Sequence, residues 1–295
     1  MKYRFPNLFI PGAGKSGTSS LHLYLNQHPL VQMASVKEPH FFSIDKYFEK
    51  GFDQYLNLFS TSAVNIKYYG ESSTTYMASL NAIRRIQQYI ADPKFIFILR
   101  NPIQRIVSHY NWLLSQGRPL NSFREELEAD IKKPFNPNFS FYNGFYKSYL
   151  ELSHYGKWIS EYIRVFGRSN IHIIITEELN SQPMETINSC YRFLEISELK
   201  TAVKIQANGT QKSYKTNRAR LNLPAIKKLV PNRVKNYLIQ NEFTKQLLLQ
   251  EEKHNIQTYS PDESVSIWLT NLLKDDVMFL KQITAINFSS WKEFQ

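Results

Sequence analysis

Five short apolar runs punctuate the chain, at 8–10, 31–34, 66–69, 95–99 and 171–175. Each has strand length and is bounded by polar, glycine or proline residues. The run Phe95-Ile96-Phe97-Ile98-Leu99 has no polar interruption, as expected of a strand buried on both faces. Helical periodicity fills the gaps. Leu21, Leu23, Tyr24 and Leu25 give one apolar helix side, ended near Gln27-His28-Pro29. Further helices are predicted over 80–90, from Pro102 onward, over 145–166, over 184–194 and over 262–286. Asn121 or Ser122 is placed to cap another, with Glu125 and Glu126 in its first turn. The aromatic stretch 44–63 also reads as helical. Strands alternating with helices predict an α/β fold: one domain over residues 1–295, with a central parallel sheet of about five strands flanked by helices.

The glycines sit where the first strand passes into the first helix, in Pro11-Gly12-Ala13-Gly14-Lys15-Ser16-Gly17-Thr18-Ser19-Ser20. Strand, glycine loop and helix together make a grip for phosphate. Glycine allows close backbone approach, and the first helical amides point outward without internal partners. Lys15 adds a cation, and Thr18, Ser19 and Ser20 add hydroxyls. The nucleoside-triphosphate P-loop fails on spacing, because its first glycine would fall at Phe9. Its magnesium-binding acid is missing too, since the strand at 95–99 runs into Arg100. A cation there points to a second anionic group and not to a metal. Pro102 suits the first turn of the following helix, and Ser108 lies two turns in.

Charge sharpens this picture. The 295 residues carry a net charge of +11, and ten basic residues with no acidic one lie between 200 and 241. Such a stripe serves nucleic acid, an anionic membrane or an anionic small molecule. Hydrophobic content of 42% supports a packed globular protein. One cysteine, Cys190, forms no internal disulfide and falls in an apolar run, where a buried thiol is expected. With neither a signal peptide nor a membrane-length apolar run in view, a cytoplasmic protein without integral membrane contact is expected. No metal-ligand spacing is visible among the seven histidines.

Two segments resemble the sulfotransferases that use 3'-phosphoadenosine 5'-phosphosulfate (PAPS). The run from Gly14 to Leu21 is similar to their 5'-phosphosulfate loop. Phe97 to Arg105, followed by Ser108-His109-Tyr110, is similar to their 3'-phosphate site. Lys37-Glu38-Pro39-His40-Phe41-Phe42 resembles the segment whose glutamate deprotonates the acceptor in glycan sulfotransferases and their bacterial relatives. Gly70-Glu71-Ser72-Ser73-Thr74-Thr75-Tyr76 resembles their Glu-x-x-Pro-x-Tyr turn, with two departures. Thr74 replaces the proline, and Ser72 stands where glycosaminoglycan-modifying members carry lysine.

The resemblance implies a P-loop-like fold and PAPS as donor, with no metal. It implies that Gly14, Lys15, Ser16, Gly17, Thr18 and Ser19 hold the phosphosulfate, and that Arg100 and Ser108 hold the 3'-phosphate. Lys212, Lys215, Arg218 and Arg220 become donor contacts from a loop folded over the nucleotide. The acceptor hydroxyl must lose a proton as it attacks, and either Glu38 or His40 can take it. Glu38 matches the family position. The expected acceptor is a hydroxyl, with a carbohydrate ahead of a phenol or other small molecule, and nucleic acid is not expected as a partner. Two other readings of the residues stay open. One is a P-loop nucleotide kinase, and the other is a non-catalytic basic module for nucleic acid or anionic lipid.

Overall fold

The computed structural model describes residues 5–59, 65–116, 118, 120–133, 147–201 and 258–295. Lys212, Lys215, Arg218, Arg220 and most of the basic stripe lie outside the described residues. Five parallel strands form one sheet: β1 (Leu8–Ile10), β2 (Val31–Met33), β3 (Tyr68–Ser72), β4 (Lys94–Leu99) and β5 (Ile171–Ile175). Their spatial order is β2-β3-β1-β4-β5. From β1 the chain crosses to the β2 edge, returns to place β3 between them, and then passes to the other side of β1 for β4 and β5. The carboxyl end of β1 beside β4 is the point where the order switches, which is where open α/β sheets bind ligands.

Alternation along the strands sorts two cores. Phe9, Phe95, Phe97 and Leu99 face one side, where they meet α4 (Leu80–Tyr89), α5 (Pro102–Ser115), α7 (Tyr155–Phe166) and α10 (Glu263–Thr284). Leu8, Ile10, Ile96 and Ile98 face the other side and pack on α1 (Thr18–Leu25) and α9 (Pro183–Phe193). All eight strand residues are fully buried. Each such side chain contributes about 1.5–3 kcal/mol of burial. Cys190 is buried on the α9 side.

Local signals agree with these elements. Ser79 accepts from the Ala82 amide to cap α4. Asn101 accepts from the Ile103 and Gln104 amides ahead of Pro102 on α5. Ser122 and Glu125 cap each other's backbone at the start of α6 (Phe123–Lys132). Two short helices, α2 (Asp45–Phe48) and α3 (Phe52–Leu56), occupy the aromatic stretch after the Lys37-to-Phe42 segment. A further short helix, α8 (Thr176–Ser181), leads from β5 towards α9.

Two expectations shift. β3 is Tyr68–Ser72 and not the apolar run 66–69. Its register pairs Leu8 with Gly70, Phe9 with Glu71 and Ile10 with Ser72. Backbone pairing thus draws polar residues into the sheet, so Glu71 and Ser72 end a strand instead of belonging to a turn. The helix expected over 145–166 begins only at Tyr155, after a 3-10 turn at Glu151–Ser153. Tertiary contact sets that start. The Gly156 and Lys157 amides donate to the Asp276 carboxylate of α10, and any Cβ on Gly156 would lie 2.5 Å from the Asp276 carbonyl oxygen. No helix of the described residues is long and apolar enough to cross a membrane.

Candidate active site

The loop after β1 is pinned to β4. The Ala13 amide donates to the Ile98 carbonyl at 2.7 Å, and the Ile98 amide donates to the Gly12 carbonyl at 2.9 Å. From the far side, the Thr176 hydroxyl donates to the Ser16 carbonyl at 2.6 Å and to the Leu99 carbonyl at 2.9 Å. Lys15 and Gly17 take left-handed φ values of 72° and 96°. The second of these turns the chain into α1, and among the described residues no side chain caps that helix. Its first amides therefore stay available to an anion. Ser16 and Thr18 are buried, Gly14, Lys15 and Gly17 are half-buried, and Ser19 is exposed.

Among the described residues, the charges of Arg105, Arg100 and Lys37 are felt at Lys15, each from a different segment. Burial, then the charges of Arg105, Arg100 and Lys37, pull the Lys15 ammonium down from the usual lysine range to about 8. Its Nζ lies 5.2 Å from the centre of the Trp112 ring. Arg100 leaves the end of β4 half-buried, with Nε and Nη2 3.4 Å from Gln104 Oε1. Its carbonyl accepts from the Tyr155 hydroxyl at 3.1 Å.

Arg105 is fully buried in α5. It donates through Nε to Ser153 Oγ and through Nη2 to the Tyr149 carbonyl, both at 2.8 Å. Arg105, Ser108 and Trp112 follow i, i+3, i+7 spacing, so half-buried Ser108 shares the α5 face that looks to Lys15. Arg105 ends the stretch similar to the 3'-phosphate site but is given no role of its own from sequence, and Trp112 is not singled out at all. Their position one and three turns after Arg100 is the signal that points to them.

The second part of the site is the loop following β2. Glu38 and His40 both have left-handed φ, at 61° and 55°. Lys37 Nζ donates to Glu38 Oε1 at 2.6 Å, and the Thr74 amide donates to Oε2 at 2.8 Å. The Thr74 hydroxyl lies 3.1 Å from Oε2. Burial pushes the Glu38 carboxyl upward, but Lys37, His40 and the hydrogen bonds outweigh it and hold the group below the usual carboxylate range. Glu38 is thus ionised at neutral pH.

His40 Nδ1 is 2.9 Å from Thr75 Oγ1 and 3.8 Å from Glu38 Oε2. Burial lowers its pKa against the pull of Glu38. Beneath this loop, His22 Nδ1 meets Ser72 Oγ at 2.8 Å. Burial, then Lys37, pushes that imidazole down to about 4, so it stays neutral. Lys37 bridges the two parts, bound to Glu38 while its charge is felt at Lys15. Among the described residues no cluster of His, Cys, Asp and Glu could hold a metal ion.

A parallel sheet with an uncapped helix start ringed by cations defines a phosphate-gripping α/β protein. The particular family follows from comparison. A family model described as the sulfotransferase domain matches residues 5–258, and the chain belongs to that family. It is 29% identical over 208 residues to human heparan sulfate glucosamine 3-O-sulfotransferase 6. That match covers 70% of this chain and 57% of the human protein. It is 28% identical over 207 residues to human bifunctional heparan sulfate N-deacetylase/N-sulfotransferase 2, covering 66% of this chain and 22% of the relative. The chain thus spans only part of the curated relatives it matches. A solved sulfotransferase from Alicyclobacillus acidocaldarius has the same fold, with a TM-score of 0.68 and 24% identity. The match covers 98% of this chain and 99% of that one.

Proposed function

We propose that this chain transfers a sulfuryl group from PAPS to a hydroxyl of a carbohydrate acceptor. The observation that carries the reading is the loop after β1, where the charges of Arg105, Arg100 and Lys37 are felt at Lys15, ahead of a helix that no described side chain caps, with Lys37 also bound to the ionised Glu38 carboxylate. A donor with a phosphosulfate at one end and a phosphate at the other offsets the repulsion among those cations. Gly14 to Ser19 would take the phosphosulfate, and Arg100 with Ser108 the 3'-phosphate. The 3-O-sulfotransferase and N-sulfotransferase relatives both have heparan sulfate in their names, which favours a carbohydrate acceptor. Ser72, in place of the lysine of glycosaminoglycan-modifying members, argues against a heparan-like chain in particular. A composition that needs no disulfide supports a cytoplasmic setting.

In the reaction the acceptor oxygen attacks sulfur in line. The bond from sulfur to the bridging oxygen breaks, and its electron pair leaves on the 5'-phosphate of adenosine 3',5'-bisphosphate. The acceptor proton passes to a Glu38 carboxylate oxygen. Lys15 faces the negative charge growing on the bridging oxygen, which is where a fixed cation lowers a barrier most. His40, kept neutral by burial, orients the loop from the Thr75 side.

Calorimetry with adenosine 3',5'-bisphosphate against ATP tests the donor. Binding of the bisphosphate, without magnesium-dependent ATP hydrolysis, is expected. The reverse pattern would assign a kinase. Salt-dependent polynucleotide binding without either nucleotide would assign a basic binding module. Labelled PAPS offered with an N-sulfated heparosan oligosaccharide, p-nitrophenyl glycosides and p-nitrophenol then sorts the acceptor class.

A further inference from the structure

The loop that carries Glu38 and His40 is held by three of its own amides. The Glu38 amide donates to the Ser72 carbonyl at 3.0 Å. The His40 amide donates to Ser73 Oγ at 2.9 Å, and the Phe42 amide donates to the Tyr76 hydroxyl oxygen at 3.1 Å. The first acceptor is backbone and has a fixed direction. The other two are hydroxyls, which can rotate and can present a proton as easily as a lone pair.

What fixes their direction is Glu71. Its side chain is fully buried at the end of β3. Ser73 Oγ donates to Glu71 Oε2 at 2.7 Å, and the Tyr76 hydroxyl donates to Oε1 at 2.6 Å. Each hydroxyl has a single proton, and the carboxylate takes it. The lone pairs of both are left facing the His40 and Phe42 amides. Tyr55 also donates to Oε1, at 2.7 Å, and none of the hydrogen bonds described runs from it to a loop amide.

We propose that Glu71 is a positioning residue for the sulfuryl-transfer site, setting two hydroxyl relays that hold the Glu38–His40 loop in its left-handed conformation. Ser73 carries one relay and Tyr76 the other. Glu71 touches neither donor nor acceptor and acts only through them. Two left-handed residues of this kind, with only Pro39 between them, persist only where surrounding bonds over-determine them. Burial opposes ionisation of Glu71 and moves its carboxyl up to about 7, so exchange is compared above about pH 8, where the side chain is the carboxylate that sets both relays. A side chain kept there despite that opposition is kept for its accepting capacity, which three donors use. A neutral amide of the same shape has one accepting oxygen fewer and brings two protons of its own, so at least one relay must turn.

This inference rests on the sulfotransferase reading for its catalytic consequence, but its structural core is separable. The experiment compares wild type, Glu71→Gln, Ser73→Ala and Tyr55→Phe. Three measurements are made on each: amide hydrogen exchange, calorimetry with adenosine 3',5'-bisphosphate, and transfer from labelled PAPS to the oligosaccharide and glycoside panel.

Glu71→Gln should speed exchange at His40, Phe42 or both by about tenfold or more while the β4 amides keep their protection. It should cut kcat by about tenfold to a hundredfold, the loss that follows misplacement of a reacting group by about 1 Å. Affinity for the bisphosphate should stay within about twofold, since that ligand meets the other loop. Ser73→Ala should reproduce the effect at His40 alone. Tyr55→Phe, which keeps the ring and removes a hydroxyl that bonds Glu71 and the Tyr76 hydroxyl but no loop amide, should leave exchange at both amides unchanged.

Unchanged exchange at His40 and Phe42 in Glu71→Gln overturns the proposal, as does an equal effect from Tyr55→Phe. If Glu71→Gln does not fold, Ser73→Ala against Tyr55→Phe decides by the same criterion. If wild type binds no bisphosphate or sulfates none of the panel, the transferase reading fails. Amide exchange then still judges the role of Glu71.

Discussion

The two halves of the site are prepared in opposite ways. Around the loop after β1, like charges are felt at Lys15, and among the described residues no side chain caps the helix that follows. Around the loop after β2, the carboxylate of Glu38 is already met by an ammonium, an amide and a hydroxyl. The first half is frustrated until an anion arrives. The second is satisfied before any ligand comes. A donor-binding region benefits from the first arrangement, because ligand binding relieves the repulsion and supplies affinity. A proton-accepting group benefits from the second, because preorganisation removes reorganisation from the reaction step.

The contrast can be broken by single substitutions. The largest expected effect is Glu38→Gln. Turnover should fall by about 10²–10⁴, the usual worth of a positioned base, with bisphosphate affinity preserved. Near-full turnover in that variant, together with loss in His40→Ala, would move the base to His40. Next comes Lys15→Ala, expected to cost about 10²–10³ in turnover as a group aimed at developing charge. A loss below tenfold removes Lys15 from the chemistry.

Arg105→Met sharpens the comparison through stability. It leaves the Tyr149 carbonyl and Ser153 hydroxyl without their guanidinium donor. About 1–3 kcal/mol of unfolding free energy should be lost, read by denaturant melts. Part of that loss should return in Lys15, whose pKa should rise when the Arg105 charge goes.

The smallest effect is on pH. Lys15 is charged below about 8 and neutral above it. An anionic donor favours the charged form. Affinity for the bisphosphate should therefore be full below pH 8 and weaken as pH rises through that value, by at most about tenfold per unit. Calorimetry from pH 6.5 to 9.5 checks this, and the slope should vanish in Lys15→Ala. A slope that persists there would place the titration on another group.

Much of the donor half was legible in one dimension. Leu8 to Leu21 announces strand, loop and helix by local chemistry, and Arg100 falls at the end of the most apolar run. The acceptor half was less legible. Glu38 is visible only through its resemblance, and its partner Thr74 lies 36 positions away. Glu71 reads as a turn residue, because hydropathy reports side chains while strand pairing is decided by the backbone of β1. The start of α7 was misplaced for a related reason, since Asp276 sets it from a helix 120 positions later.

By itself the sequence determined most of the strand and helix inventory, though not α8, together with the strand–glycine loop–helix unit and the cationic residues near it. These depend on residues close together along the chain, where spacing and side-chain type carry the physics. The tertiary structure alone decided that Lys15, Lys37, Arg100 and Arg105 share one field, and that Glu71 sits beneath the base-bearing loop. Those relations depend on register between strands and on which helix faces meet. Neither has a local signature, because each is set by packing elements that the chain brings together only after it folds.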